Sequence, residues 1–209
     1  MLKTTNSLIS ELKSEYKAPK NRILTLEKQN KIFKVTKGLY ETEKNVSPFY
    51  LSSAIYGPSY ISFESALSFW NLIPEKVIAI TSATFGKNKT KRFDTDFGVF
   101  LYRDVPKQVF PYEVYIKEDG TRRFLIAGKE KSICDILYRE SPFSSQKQLK
   151  EFLFENLRID EFDFYSLSLE LLSELSTLYK STNMNLLNSL IRKISNKRKK
   201  YDNTDNAND

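Results

Sequence analysis

Five side chains in one short run, Asn21, Arg22, Thr25, Lys28 and Gln29, carry donors and acceptors suited to base edges and phosphates. If residues 19–30 are helical, 100° per residue gathers them within an arc of about 120°, on the other side from an inward stripe of Ile23 and Leu26. Lys34 and Lys37 come next, in a stretch where Ile32, Phe33, Val35, Leu39 and Tyr40 give strand character and Lys37-Gly38 allows a bend. Arg22, Thr25 and Gln29 are therefore the candidates for reading bases. Lys28, Lys34 and Lys37 are the candidates for holding phosphates, which adds salt-sensitive affinity without sequence information.

Other chemistry finds less support. The chain has no histidine, which excludes Ser-His-Asp and Cys-His triads, histidine-ligated zinc and histidine general bases. Its single cysteine, Cys134, excludes an internal disulfide and a cysteine-rich zinc cage, and reads as a small core residue. Carboxylates pair at Asp94/Asp96, Glu118/Asp119 and Asp160/Glu161/Asp163, at turns or helix starts where Asp caps backbone amides. A nuclease would need Asp94, Asp96 and Lys91 to converge in a pocket. Gly86-Lys87-Asn88-Lys89-Thr90-Lys91-Arg92 lacks P-loop spacing and reads as an exposed basic loop between strands; Gly128-Lys129-Glu130-Lys131-Ser132 fails the same test and starts a helix. No cofactor and no metal are expected, and the chain is not read as an enzyme.

The elements that position the seven candidates form a small basic unit. Leu8, Ile9 and Leu12 mark a first helix with Ser7 as its cap, and Pro19 opens the second. Two helices followed by a hairpin have the outline of a winged helix-turn-helix, expected over residues 1–44. Residues 45–195 read as a second, mixed domain. A short helix covers Phe49 to Tyr56, and Phe63, Ala66, Leu67 and Trp70 mark another, capped by Ser59 or Ser62 and ended by Pro74. Strands follow around Val77–Ile80, Val99–Tyr102, Val114–Ile116 and Phe124–Ile126, an antiparallel or mixed small sheet. Helices return after Gly128, with Ser145 and Gln148 as a capping box and leucines at core spacing through Ile194. The fold class is α+β, and residues 196–209 are expected to be a disordered basic and polar tail.

Charge divides the chain the same way. Residues 1–40 hold nine Lys/Arg and three Glu, so +6 of the chain's +7 lies in the front; residues 41–191 are at −2 and the last eighteen at +3. Basic ends around a near-neutral body suggest a polyanion for the ends and another task for the middle. No apolar run reaches the roughly 20 residues of a membrane span and no signal-peptide core is visible, so a cytoplasmic protein without a membrane partner is expected.

Three further stretches carry a resemblance. Asn45 to Leu72, with Tyr56-Gly57-Pro58-Ser59-Tyr60-Ile61-Ser62-Phe63-Glu64-Ser65-Ala66-Leu67, is similar to the central signature of the AbiEi family of bacterial antitoxins. So are Thr81-Ser82-Ala83-Thr84-Phe85 with Phe93-Asp94-Thr95, and Ala127 through Glu130-Lys131-Ser132-Ile133-Cys134-Asp135, in the same order over residues 5–195. The resemblance implies a winged-helix autorepressor that binds operator DNA at inverted repeats. It also implies an antitoxin domain opposing a nucleotidyltransferase-like toxin in a type IV toxin–antitoxin, phage-defence pair, without a required stable complex. It places the recognition helix at Pro19 to Asn30 and the wing at Lys31 to Glu41, and assigns no single residue to the antitoxin surface. The alternative is a ligand-responsive winged-helix transcriptional regulator without an antitoxin role.

Overall fold

The computed structural model describes the backbone of residues 1–205 and the side chains of residues 1–196. It is a mixed α+β protein with two sheets. At the front, strand β1 (Leu2–Thr4) leads directly into helix α1 (Thr5–Leu12), and α2 (Pro19–Lys28) is followed by β2 (Phe33–Thr36) and β3 (Leu39–Glu41). These strands form an antiparallel sheet in the order β1-β3-β2. Thr4, not Ser7, caps α1, by accepting a hydrogen bond from the Ser7 amide at 3.1 Å. Pro19 occupies the first turn of α2, where its missing N–H costs nothing. Asn30, in the left-handed region at φ +53°, ends that helix, and the Lys31 amide closes back onto the Leu26 carbonyl at 2.9 Å.

One face of the small sheet and the two helices share a core of Leu8, Ile23, Ile32 and Tyr40. The other face packs against the body. Val35 is buried with Val46, Leu51, Ile55, Phe100 and Tyr102, with Leu2 and Leu39 packed alongside, so the front and the body share a second core. Phe33 adds an edge-to-face contact with Phe97, ring centroids 6.5 Å apart. Beside it Arg122 reaches Glu43 at 2.8 Å and the fully buried Glu41 at 3.5 Å, and lies over the Tyr50 ring at 5.2 Å.

The body contains helix α3 (Pro48–Ile55), β4 (Tyr60–Ile61), α4 (Phe63–Phe69), β5 (Ala79–Thr84), β6 (Lys91–Thr95), β7 (Gly98–Asp104), β8 (Val114–Asp119) and β9 (Arg122–Ala127). Its six strands run in the order β6-β7-β5-β4-β9-β8, with β5–β7 and β4–β9 parallel and the other pairs antiparallel. The sheet is thus mixed. β4 and β6 are not among the expected strands: two residues are too few to show a period, and β6 has one apolar side chain, Phe93, and begins inside the stretch Gly86–Arg92 that reads as a basic loop. The helix expected to run to Pro74 is closed earlier, at Asn71, whose φ of +56° lets the Leu72 amide bond the Leu67 carbonyl at 2.9 Å.

Helices α5 (Lys129–Arg139), α6 (Gln146–Glu151) with a π-helical turn over Phe152–Asn156, α7 (Glu161–Ser166), α8 (Leu169–Tyr179) and α9 (Thr182–Asp205) complete the chain. Their leucines close the main core around Ile133, Ile136, Leu149, Leu172 and Leu187. The tail expected to be disordered from residue 196 is helical as far as Asp205, and residues 206–209 lie outside the described residues. Among the described residues no helix is long and apolar enough to cross a membrane.

Candidate nucleic-acid interface

The seven candidates divide by exposure. Asn21, Lys28, Gln29, Lys34 and Lys37 are exposed, whereas Arg22 and Thr25 are half-buried. Thr25 donates its hydroxyl to the Asn21 carbonyl at 3.0 Å, which occupies the group expected to face a base. Arg22 stacks over the Tyr16 ring at 4.9 Å, and its Nε is buried without a partner. Replacing Arg22 with alanine should therefore cost about 0.5–1 kcal/mol of folding stability, the worth of such a stack near the surface. Urea unfolding measures this; a neutral result would remove the stack from the account.

The exposed face of α2 is consequently rotated from the expected one. Ile23 is buried and Leu26 half-buried, so the outward arc centres on Lys20, Leu24, Lys28 and Asn21, which 100° per residue places within about 100°. Sequence reasoning misses Lys20 and Leu24. Leucine on a helix ordinarily signals core, yet Leu24 is 56% exposed. The basic surface extends further: Lys13, Lys17, Lys20, Lys28, Lys31, Lys34 and Lys37 are all exposed, and none has an acidic partner among the described residues. In this unit Glu11 pairs with Lys3 instead.

The strongest concentration of reactive side chains lies elsewhere, inside the body. Asp135 and Lys131, one turn apart on α5, are both 0% exposed and 2.8 Å apart. The second partner of Asp135 Oδ1 is the Tyr179 hydroxyl at 2.6 Å, and Oδ2 accepts from Tyr60 at 2.9 Å and Ser62 at 2.6 Å. Lys131 also donates to the Tyr179 oxygen at 2.6 Å and sits 4.9 Å from the centre of that ring. Every lone pair of the carboxylate is thereby used. Burial, reinforced by the neighbouring carboxylate, pushes both Tyr60 and Tyr179 well above the ordinary phenol range, so each remains a protonated donor.

This cluster ties α5, β4, α4 and α8 together. Of the two expected caps Ser59 and Ser62, Ser62 occupies the N-cap position of α4, but its hydroxyl goes to Asp135 and makes no capping bond. Behind it Thr81 donates to the Ser62 carbonyl at 2.7 Å and accepts from the Ser65 amide at 2.9 Å. The stretches Tyr56–Leu67, Thr81–Phe85 and Ala127–Asp135 therefore meet in one buried polar network. With its side chains between 0% and 2% exposed, the network is closed off from solvent and joins the elements it bridges. Cys134 beside it is fully buried, and burial raises its thiol far above the usual range. Folded protein should resist alkylation by iodoacetamide at about pH 8, and urea-unfolded protein should react fully, as intact mass will show.

One carboxylate of each expected set is engaged locally. Asp94 is held by Arg92 at 2.7 Å, Glu118 by Arg123 at 2.8 Å, and Asp160 caps α7 by accepting from the amides of Phe162 and Asp163. Glu64, in the first turn of α4, binds Arg103 at 2.9 Å, and Arg103 covers the Phe63 ring at 5.0 Å. Among the described residues no three His, Cys, Asp or Glu side chains gather as a metal site. Compared with known proteins, the chain matches no protein-family model and none of the curated proteins.

Proposed function

We propose that this chain is a DNA-binding autorepressor and antitoxin of a bacterial toxin–antitoxin pair, acting in the cytoplasm without enzymatic activity of its own. Its DNA-reading part is the front unit: α2 enters the major groove with Lys20, Asn21, Leu24 and Lys28, while Lys34 and Lys37 on the β2–β3 hairpin hold phosphates. The observation that carries this reading is the set of seven exposed lysines without acidic partners on and around a helix whose outward face sets Lys20, Asn21 and Lys28 about Leu24. The chain order β1-α1-α2-β2-β3 favours a winged-helix layout. Leu24 fits contact with a thymine methyl, the apolar feature of that groove.

The antitoxin half of the proposal rests on the likeness of residues 45–195 to AbiEi antitoxins, and its partner is a nucleotidyltransferase-like toxin. Co-expression tests it. Full-length protein should restore growth to cells expressing the toxin-like gene neighbouring its own, and should bind inverted repeats upstream of that gene pair. A Lys28→Ala, Lys34→Ala, Lys37→Ala variant should lose the binding and keep the rescue. Point variants are required for this separation, because deleting residues 1–44 would strip Val35, Leu2 and Leu39 from the core around Leu51, Phe100 and Tyr102. No growth rescue by full-length protein would overturn the antitoxin reading.

A further inference from the structure

A second basic site lies in the body, away from α2. Lys89 from the β5–β6 loop, Lys107 from the segment after β7 and Arg139 from the last turn of α5 line one open cleft of about 530 Å³, together with Asn88, Thr90 and Tyr138. All three cations are exposed, and among the described residues their side chains have neither an ion pair nor a hydrogen bond. That sets them apart from Arg92, Arg103, Arg122, Arg123 and Arg158, each of which holds a carboxylate. A helix C-terminus explains a cation at Arg139. It does not explain two lysines brought from two other segments to the same cleft.

The single acid in the lining is already committed. Asp104 accepts from the amides of Lys87 and Asn88, both at 2.6 Å, and from the Thr84 hydroxyl at 2.5 Å. Lys87 bends away to the Gly57 carbonyl at 3.2 Å and over the Tyr56 ring at 5.1 Å. The loop is thereby fixed in shape by an internal carboxylate, and Lys89 is left facing the cleft. Tyr138, packed against Tyr179 with ring centroids 5.6 Å apart, and Pro106 supply a firm wall.

We propose that this cleft binds a phosphate-bearing ligand, with Arg139 as a forked donor to two phosphate oxygens and Lys89 and Lys107 as point charges on the others. The phosphate belongs either to a small polyphosphate or to a nucleic-acid backbone, and two probes distinguish these sources. The full chain, isotope-labelled, is titrated with sodium pyrophosphate at about 100 mM salt, a screening length of about 10 Å. A duplex of random sequence is titrated separately in a Lys28→Ala, Lys34→Ala, Lys37→Ala background, so that failure of the α2 face and failure of this cleft are read independently.

Pyrophosphate should shift the amides of Asn88, Lys89, Lys107 and Arg139, and Lys107→Gln with Arg139→Gln should weaken its binding about tenfold or more. Lys150→Gln, an exposed lysine on α6, should change nothing. Shifts produced by the duplex alone, and abolished in the double variant, assign the site to backbone phosphate; shifts by pyrophosphate alone assign it to a small ligand. If neither probe shifts these amides, or if the double variant binds as the parent does while remaining folded, the site is refuted.

Discussion

Replacing Asp135 with alanine should lower the free energy of unfolding by about 3–5 kcal/mol, the largest loss expected from any single polar substitution in this chain. The reason is what remains behind. Lys131 stays 0% exposed with its partner gone, and the hydroxyls of Tyr60, Ser62 and Tyr179 each lose an acceptor they cannot replace from water. Urea denaturation followed by circular dichroism gives the number. Adding Lys131→Met should recover part of the loss, because an apolar side chain of similar length removes the stranded charge. A single-variant loss below about 1 kcal/mol would show that Lys131 finds solvent, and the cluster would then be open to a chemical role.

The second large effect concerns salt. For the Lys28→Ala, Lys34→Ala, Lys37→Ala variant, the slope of log K against log salt on duplex DNA should become shallower by about 2.7, at roughly 0.9 for each phosphate no longer neutralised. At about 0.1 M salt this corresponds to a loss of two to three orders of magnitude in affinity. Fluorescence anisotropy over a salt series measures both quantities. Asn21→Ala and Leu24→Ala should behave differently, weakening one sequence relative to another by about 1–3 kcal/mol and leaving the slope unchanged. An unaltered slope in the triple variant would mean that these lysines do not meet phosphate.

The helices are the most legible part of the sequence, because their apolar stripes recur over several turns. α5, α8 and α9 lie where Ile133, Leu172 and Leu187 point to them. The strands are less legible: β4 has two residues and depends on β5 and β9 for its existence, a dependence no local pattern displays. The rotation of α2 escapes the sequence for a related reason. Arg22 reads as outward on its chemistry, but it stacks on Tyr16, six residues earlier, and is half-buried, while Leu24 faces out. The buried network is written in three separate stretches, and only folding shows that Tyr60, Ser62, Asp135 and Tyr179 share one carboxylate. Lys131 and Asp135 at i and i+4 are the visible clue, yet the same spacing on a helix surface is a routine solvated pair.

The packing of the front unit also bears on the DNA it is proposed to read. Its sheet is wedged between α1 and α2 on one side and α3 and β7 on the other, and Arg122 holds Glu43 beside the wedge. A reading head on a tether can absorb a change in spacing between its site and a neighbouring contact. This one shares a buried core with the body. An extra base pair between the element gripped by α2 and any contact made by the body turns that second contact about 34–36° around the duplex axis. Because the front and the body share this core, the proposed recognition extends to the phase of the helix as well as to its letters.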